Sequence, residues 1–349
     1  MRFSIGGPVR LLISFLGKIR CILAGRFPSR DRPAFTRLAL TCLALLPVAA
    51  AAPSQEPASW VPDKRAATDA EPITPIPQPP PADKLKLALG ERLFEDHRLS
   101  HDGSLACSSC HDLHTNGADD GRRRSGDPGA ETRFNIPTMF NAPLSFRLNW
   151  EGNFRSLEAQ TQSSLENSAN MATSIGEVVA KLRADPEIAQ QFAAAYGRPP
   201  DGASLLDAIA VFERSLLTPD SRFDKWLGGD NSALTPEERN GYALFKSLGC
   251  VSCHQGVNVG GNLYQRHGIF RPLATSKPEI LRVPSLRNVA TTAPYFHDGS
   301  APTLGDAVRR MAAAQLDQSL SDQQVESIVG FLRTLTGNYR GVPVAAKQP

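Results

Sequence analysis

The sequence predicts a mainly α-helical chain of two units joined by long loops. Three observations carry this: two separate CxxCH motifs, apolar residues at helical spacing around each, and no sustained period-2 alternation. At 349 residues and 41% hydrophobic composition, the chain can bury two cores, since domains usually hold roughly 100–200 residues. The formal net charge of +3 is small, and Lys and Arg are scattered rather than gathered on one face, which excludes nucleic acid as an expected partner.

Residues 1–52 read as a signal-peptide region. Arg26, Arg30, Arg32 and Arg37 precede an apolar run from Leu38 to Leu46, and small residues Ala49 to Ala52 follow. The run is short for a bilayer span, so cleavage near Ala51 or Ala52 and a soluble, periplasmic mature chain are expected. The apolar patch from Leu11 to Leu16 lies upstream of this signal, as a start codon placed too early would leave it. Residues 53–82 are rich in Pro without apolar period and read as an extended linker, with order beginning near Asp83.

An N-terminal unit is expected over 83–230. Leu85, Leu89 and Phe94 share a helical face before the first CxxCH. Ile175, Val178, Val179 and Leu182 form one further stripe, and Leu205, Ile209, Phe212 and Leu216 another. Gly228 and Gly229 break the pattern and mark the boundary to a C-terminal unit over 231–340, with 341–349 as a tail. In that unit Thr235, Pro236 and Glu238 open a helix as a capping box, and its face of Tyr242, Phe245 and Leu248 runs into Cys250. Ser321 and Gln324 cap a last helix with a stripe of Val325, Ile328, Val329 and Leu332.

Cys21 and Cys42 lie in the removable segment, so four cysteines remain, all in CxxCH: Cys107, Cys110 and His111, then Cys250, Cys253 and His254. Two thiols about one turn apart suit the two vinyl groups of one porphyrin, and the adjacent His suits its iron, so two c-type haems are the favoured reading. Disulfides and zinc are the alternatives. A structural zinc needs four ligands, and His114 near the first motif would give only a cramped Cys₂His₂ loop. The second axial ligand decides whether an iron passes electrons or binds a small oxidant. For the second motif Met311, His267 and His297 are candidates, and Met311 serves equally well as core.

From about Leu89 to Gly337 the chain resembles the bacterial di-haem cytochrome c peroxidases and their MauG relatives. The resemblance is carried by "LACSSCHDLHTNGADD", "NIPTMFNA", "NWEGNFRSLEAQ", "VFERSLLTPDSRFDKWLGGD", "GCVSCHQGVNVGGNLY", "VPSLRNVATTAPYFHDGS" and "AQLDQSLSDQQVESIVGFLRTLTG". It implies two cytochrome c-like domains, with a peroxide-reacting haem in the first and an electron-accepting haem in the second. Met311 matches the family's methionine ligand, where MauG-type proteins carry tyrosine. Trp150 matches the tryptophan between the haems, Gln160 a glutamine of the peroxide pocket, and His297 a histidine after "APYF". Asn135, with the backbone carbonyls of Thr292 and Pro294, matches an interdomain calcium site. The resemblance further implies a homodimer.

Two positions depart from the family pattern. Asp127 stands where resting peroxidases have a second histidine on the first haem, and Asn170 where they have a catalytic glutamate. An amide can position peroxide but cannot shuttle its proton. The expectation is therefore reduction of hydrogen peroxide with electrons from a small donor, a cytochrome c or cupredoxin. The alternative is oxidation of a partner protein in the MauG manner, or electron transfer or sensing without peroxidase activity.

Overall fold

The computed structural model describes residues 71–119, 134–273 and 279–347. The signal-peptide reading and Asp127 lie outside these residues. Among the described residues nine α-helices carry the fold: α1 Lys84–Phe94, α2 Leu157–Glu166, α3 Ile175–Arg183, α4 Pro186–Tyr196, α5 Gly202–Arg214, α6 Arg222–Leu227, α7 Pro236–Ser247, α8 Leu304–Leu316 and α9 Asp322–Arg333. Two antiparallel two-stranded ribbons complete it: β1 Tyr264–Arg266 with β2 Ile280–Arg282, and β3 Asn338–Tyr339 with β4 Val342–Pro343. The expected mainly α class is what is observed. No described helix is long and apolar enough to cross a membrane.

The helices start where their caps place them. Glu238 N–H donates to Thr235 Oγ1 at 3.2 Å and Thr235 N–H to Glu238 Oε2 at 2.9 Å, and Ser321 with Gln324 closes the same reciprocal pair. The stripe Leu205, Ile209, Phe212 and Leu216 is buried throughout, as is Val325, Ile328, Val329 and Leu332. Leu85 is exposed, and Leu93 takes the buried place beside Leu89 and Phe94 that Leu85 was expected to share.

The same helix crossing occurs twice. In the first half α1 packs on α5, and in the second α7 packs on α9. A Cβ built on Gly90 would lie 2.0 Å from Ala208 O and 2.8 Å from Phe212 Cβ. One built on Gly241 would lie 1.9 Å from Ser327 O and 3.1 Å from Phe331 Cβ. Each crossing thus sets a glycine on a carbonyl four residues before a phenylalanine, so the backbones touch directly. Each of these glycine helices leads into its own CxxCH. A left-handed asparagine also repeats before a 3₁₀ turn in each half, Asn141 and Asn288, and both side-chain amides donate to Thr218 Oγ1.

Core packing crosses the expected boundary at Gly228 and Gly229. Phe223 and Leu227 of α6 pack with Tyr242, Phe245, Ile328 and Phe331, so the chain enters the second core before Gly228 and Gly229. Residues 71–82 are extended but not a free linker, since Ile73 and Ile76 are buried, Ile73 in that same core. Arg287 Nη2 donates to Thr74 O at 2.7 Å, Gly256 N–H to Pro72 O at 2.8 Å, and Tyr242 OH to Glu71 Oε2 at 2.6 Å. Two isolated isoleucines among prolines have no helical or strand period, so the local sequence carries no signal of their burial. The tail also returns to the body: Val344 is buried beside Phe140, and Lys347 pairs with Asp119 at 2.5 Å.

Candidate functional site

One cavity of about 560 Å³ is lined by both CxxCH motifs. Each motif begins as a single 3₁₀ turn, Cys107–Ser109 and Cys250–Ser252, which closes through Cys110 N–H to Cys107 O and Cys253 N–H to Cys250 O, both at 3.2 Å. That turn aims both thiols and the following imidazole into the same space. The four cysteines are free thiols, and among the described residues no three His, Cys, Asp or Glu side chains converge as a metal set. Disulfide and zinc readings therefore find no support.

His111 Nδ1 lies 2.9 Å from Gly117 O, and His254 Nδ1 lies 3.3 Å from Val259 O. A carbonyl only accepts, so in each ring Nδ1 carries the proton and Nε2 keeps its lone pair. Burial pushes both imidazoles below their ordinary pKa, His254 to about 4, so both stay neutral. Neutral rings with Nδ1 fixed by a backbone carbonyl are the state in which histidine ligates a metal. The residues thus fit a c-type haem at each motif: two thiols for attachment and one oriented imidazole for iron.

Met311, Gln160, Asn170 and Trp150 all line this cavity. Met311 sits in the third turn of α8. Gln160, on α2, donates from Nε2 to Ser164 Oγ at 3.0 Å. Asn170 follows the end of α2 in an exposed turn at the cavity rim. Trp150 Nε1 donates to Asn135 O at 2.8 Å, and its ring meets the edge of His297, whose ring centroid lies 4.4 Å from that of His267. These three rings form a contact from the first half of the chain to the second. His267 is pushed down to about 4, by burial first and by His297 next.

Asn135 and Pro294 are also brought together, through the side-chain nitrogen: Nδ2 donates to Pro294 O at 2.9 Å and Phe296 O at 3.0 Å. A cation there would need the amide turned to present Oδ1. Thr292 lines the same cavity. Glu213 lines the cavity without having been singled out by sequence reasoning, although it stands inside the quoted stretch "VFERSLL". Its charge on an otherwise apolar α5 stripe was the available signal.

Two helical halves, each presenting CxxCH to one shared cavity, define a di-haem c-type cytochrome. The comparisons with known proteins agree. Residues 84–232 match the family model for di-haem cytochrome c peroxidase, and 238–336 that for cytochrome c. The cytochrome c peroxidase Ccp of Escherichia coli is 40% identical over 77% of this chain, which spans 62% of that relative's length. The cytochrome c551 peroxidase of Nitrosomonas europaea is 39% identical over 77% of this chain and 85% of its own. A crystal structure of a MauG-like protein associated with microbial copper homeostasis superposes with a TM-score of 0.62 at 32% identity, covering 75% of this chain and 93% of that one. The chain belongs to the di-haem cytochrome c peroxidase family, which implies two c-type haems.

Proposed function

We propose that the protein reduces hydrogen peroxide to water, with electrons from a small exported cytochrome c or cupredoxin entering at the Met311 half. The observation that carries this reading is the single cavity joining both CxxCH motifs through the Trp150–His297–His267 contact. The haems would supply the one-electron chemistry and the site at which peroxide binds. The chain's residues do the rest. His111 and His254 offer Nε2 to iron from fixed rings, and Met311 offers a thioether, which raises the potential of the iron it binds. Gln160 orients peroxide by hydrogen bonding, and Trp150 fills the gap between the halves. Overall, one peroxide takes up two electrons and two protons and leaves as two waters.

The same reading includes a cleaved signal, a periplasmic location, a homodimer and a calcium ion at Asn135, Thr292 and Pro294. Asn170 favours a second reading, electron transfer or partner oxidation without peroxidase turnover, because it puts an amide where an acid is needed. Steady-state peroxide consumption by the di-haem protein with a reduced small c-type cytochrome separates the two. Sustained oxidation of the donor, dependent on peroxide, supports the first. Donor oxidation no faster than without the protein sinks it.

A further inference from the structure

Peroxide cleavage needs a proton at the oxygen that leaves, and the expected acid position holds Asn170. The other nearby carboxyl group, Glu166, is the last residue of α2, where Gln162 Nε2 donates to its Oε1 at 3.0 Å, and it lies outside the cavity. Among the described residues that line the cavity two carry carboxyl groups, Asp119 and Glu213. Asp119 is held by Lys347. Glu213 is only 4% exposed, and its Oε2 has no hydrogen-bond partner among the described residues. It belongs to the first half of the cavity: Thr161 of α2 is beside it, and it is close enough to Cys107 to act on that thiol.

We propose that Glu213 holds the proton that hydrogen peroxide needs in the His111 half of the cavity, and delivers it in place of the acid missing at Asn170. This rests on the peroxide-reducing reading above. The carboxylic acid gives its proton to the leaving oxygen as the O–O bond breaks. That oxygen becomes water, and two reduced donor molecules supply one electron each. The second oxygen takes a proton from solvent, and the Glu213 carboxylate is reprotonated from solvent on the Glu158 side, where Glu158 is part exposed.

The surroundings keep Glu213 protonated at neutral pH. Burial raises its pKa to about 8, the Glu158 carboxylate adds to the rise, and Thr161 and Arg214 offset part of it. Arg214 is itself paired with Glu158. Of the other elements packed on α5, α1 brings Lys86 and Glu91, which pair with Asp207 and Arg340; α3 brings Glu177 and Lys181, which pair with each other, and Arg183, which donates to Pro200 O at 2.7 Å; the Ala142–Leu144 turn brings no titratable group. In the haem-bearing protein Cys107 is a thioether and does not titrate.

The test compares wild type, Glu213→Gln and Glu213→Asp as di-haem proteins. The infrared spectrum of wild type at pH 7 should contain a buried carboxylic-acid carbonyl band that fades as pH rises through about 8 and is absent from Glu213→Gln. With one equivalent of peroxide, reduced Glu213→Gln should reoxidise about 10²–10⁴-fold more slowly, with unchanged haem content, and Glu213→Asp should recover part of the rate. A wild type that reacts with peroxide while Glu213→Gln reacts equally fast overturns the Glu213 role alone. If the variant does not fold, a wild-type rate flat from pH 6 to 9 overturns it equally. A wild type inert to peroxide overturns both this role and the function on which it rests.

Discussion

His111 and His254 show how two neighbouring residues settle a ligand's chemistry. Each follows its cysteine turn directly, and each gives its Nδ1 proton to a carbonyl five or six residues on. The tautomer is therefore set by short loops and requires nothing from distant sequence. Met311 differs, because α8 must be carried back by the long segment after β2 before its sulfur reaches the cavity. Thioether sulfur favours ferrous iron, so replacing it with imidazole lowers the potential. Met311→His should shift the higher of the two haem midpoints downward by redox titration and slow electron entry from the donor. An unchanged midpoint would make Met311 a core residue.

At the scale of elements, the two glycine crossings fix how closely α1 meets α5 and α7 meets α9. Gly241→Ala would gain about 1 kcal/mol of helix propensity but drive a methyl into Ser327 O, where an ideal Cβ has 1.9 Å. Overpacking costs typically about 1–3 kcal/mol and more where backbone must move, so a net destabilisation on that order is expected. Urea unfolding followed at the haem absorption band measures it. Equal midpoints for variant and wild type would show that the helices part without cost. The caps and buried stripes of α5, α7 and α9 were legible because both are local: a capping box spans four residues, and a helical stripe repeats within one segment. The repeated crossing was not legible, since it pairs Gly90 with Ala208 and Gly241 with Ser327 across long stretches of chain. The packing of Ile73 was hidden for the same reason, because its partners Phe223 and Phe331 lie far along the sequence. Glu213 stood in plain view as a residue, but its burial depends on α2 and α5 closing together over the Cys107 loop.

For the molecule as a whole, the doubled helix crossing, the paired Asn141 and Asn288 amides on Thr218 and the shared cavity make one body with two linked redox positions. Residues 71–82 and the β3–β4 ribbon tie across that body, with Glu71 on α7 through Tyr242 and Lys246, and Arg340 on α1 through Glu91. The Trp150–His297–His267 contact joins the two halves directly. If the protein reduces peroxide as proposed, electrons stored at both motifs are spent together on one peroxide. The measurement is anaerobic mixing of the fully reduced di-haem protein with one equivalent of hydrogen peroxide, followed by stopped-flow absorption. Both haems should return to the ferric spectrum, with two electrons consumed per peroxide. Haems that stay ferrous, or reoxidation of one haem with the other left reduced, would contradict it.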